Sequence, residues 1–363
     1  PPDAAASAGE KVAHMDQPPP PKPVISSSFG VRVGVRLQDP AAPKSMSELH
    51  MDTAYVEARF HGDLNDNFGW VANFNASAVG YTFGSGSPVQ PMDLIVKYHA
   101  CDAFNLWAGR LLVPSDRSNF AGPFFMSPWN YPGVFGTVAF IGPKTGPNGR
   151  DQGATLWGEA LDSKFKYFVG AYGIDQATQP YYSSRISYAI QGSEPGYFGS
   201  STYYGDKSVV AVGVGGQYQK SASDQNLVPP AMNGTQGTRD TTTFMADILA
   251  EEAVAAGTFT FEGQFYAFNT GERVGGSPTA PVYSPKEEFY ILGSYLTPDN
   301  VGAGKIQPLV RLQQTLDPGW TVVDVQLGYI MKAYFLKLIA NYQHTDANGY
   351  IGNAVQFGAQ AQM

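Results

Sequence analysis

Beyond residue 27 the chain keeps one rhythm to its end. Apolar and polar side chains alternate in runs of roughly ten residues, each closed by turn residues, which is the period of a strand with two different faces. Residues 28–38 set Phe29, Val31, Val33, Val35 and Leu37 against Gly30, Arg32, Gly34, Arg36 and Gln38. Further on, Phe259, Phe261 and Phe265 oppose Thr258, Thr260, Glu262 and Gln264. Val323, Val325, Leu327 and Tyr329 oppose Asp324 and Gln326, and the closing NAVQFGAQAQM sets Val355, Phe357, Ala359, Ala361 and Met363 against glutamines. The pattern predicts sixteen strands: 28–38, 51–62, 68–79, 91–100, 104–114, 151–161, 165–175, 183–191, 208–219, 240–252, 257–269, 286–297, 305–315, 320–332, 334–345 and 353–363.

The connections carry a second pattern. Counted from the first, the even ones are mostly short, as in DLNDN, CDA, DSK and VAAG, while the odd ones are mostly long and rich in Gly, Pro, Ser and Asn. Short turns at one end and long loops at the other describe an all-β, antiparallel transmembrane barrel, which closes because no sheet edge survives in hydrocarbon. Two connections depart from the rule. Residues 192–207 (GSEPGYFGSSTYYGDK) are long where a turn is expected, and the loop at Pro318–Gly319 is short.

Composition fits such a barrel. Apolar residues make up 43%, aromatic residues 13% and charged residues 15%, with 41 Gly and 21 Tyr, and mean hydropathy is −0.20. A soluble domain carries about 25% charged residues. A barrel shows lipid every second side chain, so its hydropathy averages near neutral. A secreted all-β protein shares much of this composition, and the segregated loop lengths favour the barrel. No apolar stretch is long enough for a membrane-spanning helix. The net charge of −8 argues against a nucleic-acid partner.

Residues 1–27 stand apart as a Pro-rich, flexible segment without periodicity, and 28–363 form the barrel. The start PPDAAASAGE reads as a processed mature form. The leader is a candidate contact for a periplasmic or outer-membrane partner, or a plug. Membrane lipid and lipopolysaccharide would cover the outer face.

Residues 115–150 form the third long loop, with seven aromatics at Phe120, Phe124, Phe125, Trp129, Tyr131, Phe135 and Phe140. Disordered segments lack aromatics, so this loop is expected to fold inward against the barrel wall and narrow the pore. The constriction candidates are Asp116, Arg117, Lys144 and Arg150, with Arg110 on the strand before. Basic pore-lining candidates are Arg32, Arg36, Arg59, Lys97, Arg185, Arg311 and Lys337. Acidic ones are Glu57, Glu159, Glu262 and Asp324, with Asp93, Asp247 and Glu288. Such interleaved charges read as the lumen of a general porin, or as wall pairs that neutralise one another. For the hairpin 149–175, with its large Trp157, Tyr167 and Phe168, lipid is expected on one face and water plus the third loop on the other.

FNLWAGRLLVP, the aromatic loop and GRDQGATLWGEALDSKFKYFVGAYG resemble the phosphate-selective porin O/P family. The matching positions are Gly109, Pro114, Arg150, Asp151 and Gly153. RISYAIQ and YYGDKSVVAVGVGGQYQ are similar to the family's middle portion, which makes the long 192–207 connection a family feature. The resemblance covers about half the chain. It implies a sixteen-stranded, homotrimeric channel in the bacterial outer membrane, passing small hydrophilic solutes or anions. The alternative is a barrel plugged by loops or leader that acts as a scaffold. Neither enzyme activity nor a cofactor is expected. His14, His50, His61, His99 and His344 show no metal spacing, and no GxSxG motif occurs.

Overall fold

The computed structural model describes residues 25–38, 48–77, 89–132, 149–173, 179–223, 238–269, 276–277, 280–281, 287–316, 319–347 and 350–363. Most of the leader and the constriction candidate Lys144 lie outside these residues.

The strands are β1 (Ser26–Gln38), β2 (Glu48–Asp63), β3 (Phe68–Ser77), β4 (Val89–Cys101), β5 (Phe104–Leu112), β6 (Arg150–Ala160), β7 (Phe165–Tyr172), β8 (Tyr181–Gln191) and β9 (Val209–Ser223). There follow β10 (Thr238–Val254), β11 (Gly257–Phe268), the two-residue β12 (Gly276–Ser277) and β13 (Ala280–Pro281), β14 (Glu287–Leu296), β15 (Lys305–Thr315), β16 (Thr321–Lys332), β17 (Leu336–Ala347) and β18 (Tyr350–Gln362). Among the described residues one helix, α1 (Arg117–Phe125), interrupts the series. β12 and β13 form a small hairpin in a loop. The other sixteen strands close into one antiparallel barrel, matching the sixteen expected from alternation.

The seam is β1 on β18, from Gly30 opposite Gln362 to Gln38 opposite Ala354. Phe29 and Met363 exchange backbone hydrogen bonds at 2.8 Å, so no edge stays open. Both barrel termini therefore lie at the short-turn end.

The outer face is a belt. Val33, Val96, Leu106, Val169, Ile186, Val214, Val310, Leu327 and Phe357 are exposed around it. Aromatic rings flank it. At the short-turn end Phe29 meets Phe60, Phe68 meets Tyr98 and Phe259 meets Tyr295. There Tyr167 donates its hydroxyl to Ala103 O at 2.7 Å, Tyr295 to Ala256 O at 2.6 Å and Tyr329 to Val301 O at 2.9 Å. At the other end Tyr218 bonds Asp240 and Tyr342 bonds Asn353. An apolar ring with a polar tip suits a membrane–water boundary. Among the described residues no helix is long and apolar enough to cross a membrane, and the barrel crosses with strands.

Candidate functional site

The inner face is where solutes could travel. Two segments enter it from opposite ends. The first follows β5. Val113 N still bonds Gly149 O across the base of the loop. Asp116 then caps α1 by accepting from Asn119 N at 3.0 Å. The helix breaks at Gly122–Pro123, where Gly122 takes φ 62°, and the chain runs on along the wall to residue 132.

Side chains of the wall hold this segment mainly by its backbone carbonyls. Arg32 donates to Trp129 O at 2.8 Å, Lys337 to Met126 O at 2.9 Å, Arg311 to Asn130 O at 2.9 Å and Arg185 to Ser115 O at 3.0 Å. Gln360 donates to Phe124 O at 3.0 Å and Gln326 to Ser127 O at 3.1 Å. Two glycines give the wall flat seats. A Cβ on Gly30 would stand 2.4 Å from Phe124, and one on Gly358 would stand 2.5 Å from Trp129. The guanidinium of Arg32 also lies over the Trp129 ring, 3.8 Å from its centroid. Residues 115–132 are thus bonded to side chains of the strand wall, while 133–148 lie outside the described residues.

The second segment is the connection 192–208, which enters from the short-turn end. Gly192, Gly196 and Gly205 bend it at positive φ. Glu251 of β10 accepts from Tyr203 N, Gly205 N and the Thr202 hydroxyl. Glu159 accepts from Gly196 N at 3.0 Å, and Ser201 bonds Glu262. Tyr197 stacks on Trp107 at 4.4 Å and meets Trp157 and Phe168 edge-on. These rings, with Val71, Ile95, Leu111, Leu112 and Phe120, make a buried apolar cluster inside the barrel.

This corrects the expectation for hairpin 149–175. Its inner face does not meet only water and the third loop. Trp157 and Phe168 point inward and have a partner layer in 192–208, while Tyr167 lies in the outer girdle. Alternation could not assign the faces, because both faces carry large apolar residues.

The two segments meet. Arg117 makes two bonds to Glu194, at 2.7 and 2.8 Å, and donates to Ser200 O at 2.9 Å. Gly199 N bonds Phe120 O and Ser201 N bonds Phe125 O. Burial on its own would lift the Glu194 carboxyl. The charge and hydrogen bonds of Arg117, backed by Lys166 and Tyr203, hold it well below the usual carboxylate range. A cavity of about 20 Å³ remains at the joint, lined by Arg117, Lys166, Arg185, Glu194 and Tyr197 among others, with room for about one water.

Most candidates that face the lumen are employed in structure. Asp116 and Arg117 belong to the first segment. Arg185 pairs with Asp247 at 2.8 Å, Arg311 with Asp324 at 3.0 Å and Arg150 with Asp93 at 3.2 Å. Glu262 accepts from Tyr290, and Glu288 is buried beside them on β14. One group of inward-facing charges that keep water contact stands on β1, β2 and β4. Arg36, Glu57, Arg59 and Lys97 are half-buried there, next to the exposed His61 and His99. Arg36 donates to Gln343, Asn73 donates to Glu57, and Arg59 lies over Phe198 at 4.7 Å.

Arg110 corrects the constriction set. It pairs in register with Leu94 and Gln152, both on the outer face, and donates to Pro91 O at 3.1 Å. The strand's alternation, with Asn105 and Trp107 inside, puts residue 110 outside. Two residues that hold the second segment in place escaped the sequence reading. Glu251 shares the inward parity of Asp247, a signal present in the alternation. Glu194 sits in an aperiodic loop and gave none. Among the described residues no metal-ligating cluster occurs.

No family model matches this sequence, and no curated protein matches it. Solved structures do share its fold. An OmpF of Salmonella typhi, in complex with daunomycin, aligns over 93% of this chain and 97% of its own at 10% identity, with TM-score 0.64. OprB of Pseudomonas putida aligns over 93% and 94% at 11% identity, with TM-score 0.59. OmpT of Vibrio cholerae, an outer membrane protein seen in a trimer form, aligns over 93% and 99% at 11% identity, with TM-score 0.53. The chain has the fold of bacterial outer-membrane porins.

Proposed function

We propose that this protein is a passive diffusion channel of the bacterial outer membrane, narrow in bore and leaning toward anions. The observation that carries this reading is the open arc of the inner wall. Arg36, Arg59 and Lys97 keep water contact there, set against Glu57 and against Asp63, which lies 3.9 Å from Lys97, while Asp93 is bound to Asn73 and Arg150. Positive side chains facing water inside a low-dielectric tube replace part of an anion's hydration shell. The sequence resemblance to phosphate-selective porins supports the same sign of selectivity. A homotrimer fits the outward Arg110 beside Gln152, since a charged side chain in the apolar belt suits a face shared between subunits better than lipid. The leader leaves from the short-turn end, which suits a periplasmic contact.

Planar bilayers provide the test. Folded protein should show ohmic single-channel conductance, with a zero-current potential on the anion side in a KCl gradient. Folded, inserted protein without conductance would sink this reading. It would favour a closed barrel acting as a scaffold, which the meeting of the two lumenal segments supports.

A further inference from the structure

We infer that the size limit of this channel is set from both ends, with connection 192–208 forming the second half of the constriction and Glu194 fastening it to α1. The inference rests on the conducting reading above and adds its specificity-determining element. An inward third loop alone would leave the short-turn half of the barrel open on the side of β6 to β11. That half is instead filled. Tyr197, Ser200, Ser201, Thr202 and Tyr204 of the connection are all buried.

The connection is fixed at three places of different chemistry. Tyr197 sits in the ring cluster with Trp107, Trp157 and Phe168. Glu251, itself fully buried, takes three donors from residues 202–205. Glu194 takes both arms of Arg117 and the Tyr203 hydroxyl at 2.6 Å. Arg117 also lies 3.5 Å from Asp247, which binds Arg185, which in turn holds Ser115 O. The ionic chain therefore runs from the connection through α1 into the β8–β10 wall. A connection meant only to join two strands has no use for buried charges from two other elements.

The joint offers its own test. A Cβ on Gly199 would lie 3.5 Å from the Phe120 Cβ, within the span of a disulfide. The experiment uses the full chain with Cys101→Ser, to which F120C/G199C is added, and with E194Q as a separate and combined change. Heat-modifiable electrophoretic mobility checks folding. Single-channel conductance and the exclusion limit for neutral polymers are the readouts. A further variant replaces residues 195–203 with a short Gly-Ser link.

The cysteine pair should cross-link readily, and oxidation should leave the conductance and exclusion limit of that variant as they are in its reduced form, because the docked joint is the conducting state. The Gly-Ser variant should conduct about twofold more or higher and admit larger polymers, since a second path opens. E194Q added to the cysteine pair should raise conductance or its fluctuation in the reduced form, and oxidation should restore the value of the cysteine pair that keeps Glu194. Failure to cross-link would overturn the inference, as would parent-like conductance and exclusion in the folded Gly-Ser variant. If that variant does not fold, an E194Q channel indifferent to oxidation overturns it instead. A parent chain that does not conduct at all refutes the functional reading, a result distinct from each of these.

Discussion

Two arcs of the inner wall use the same side chains for different ends. On β15 to β17, Arg311, Asp324 and Lys337 are buried, with Arg311 fully inaccessible, and each is spent on a neighbouring strand or on a carbonyl of the inserted segment. On β1, β2 and β4, Arg36, Glu57, Arg59 and Lys97 stay in contact with water. A charge that faces the lumen is therefore not automatically a charge that a solute meets. What separates the arcs is the inserted chain, which dries one wall and leaves the other wet. Buried charges must be paired or hydrogen-bonded, because an unpaired one costs several kcal/mol. Exposed ones are screened and nearly neutral for stability.

The largest effect should come from breaking the dry arc. Arg311→Ala removes the charge partner of Asp324, leaving it only the amides of Gln313, Asn341 and Gln343, and frees Asn130 O, and should destabilise the barrel by about 3 kcal/mol. Urea unfolding in detergent, followed by electrophoretic mobility, measures it. A loss under about 1 kcal/mol would erase the distinction between the arcs.

Acid should come next. The Glu194 carboxyl is held below its ordinary value, so its pairing with Arg117 stabilises the joint fully above the unfolded pKa of about 4.3 and is lost as pH falls through the lower folded value. Protease access to residues 192–208 should stay low through pH 4 to 5 and rise only in stronger acid. In Glu194→Gln that acid-dependent rise should vanish, with access already higher at neutral pH.

On the wet arc the outcome should reverse. Arg59→Glu combined with Lys97→Glu should move stability by no more than about 1 kcal/mol, yet carry the zero-current potential from the anion toward the cation side. A large stability loss with unchanged selectivity would show that this arc, too, is structural. The smallest effect on permeation belongs to the outer face. Arg110→Leu should leave conductance and selectivity unchanged, and any shift should appear in subunit association, read by native electrophoresis.

Much of this was legible in the sequence. The alternation located all sixteen barrel strands, because lipid outside and polar groups inside imprint a period of two on every crossing. It put Arg32, Arg185, Arg311, Asp324 and Lys337 on the polar parity of their strands. It misplaced Arg110, which stands near the long loop but on the outward parity of its strand.

The sequence by itself determined the barrel, its polarity of loops and the sidedness of most strands, since these follow from local periodicity and from the rule that every backbone group in a membrane must be paired. Only the tertiary structure decided which inward charges are wet, that Trp157 and Phe168 have partners inside the barrel, and that Glu194 meets Arg117 from a loop at the other end. Those outcomes depend on contacts between segments far apart in the chain, and no local period encodes them.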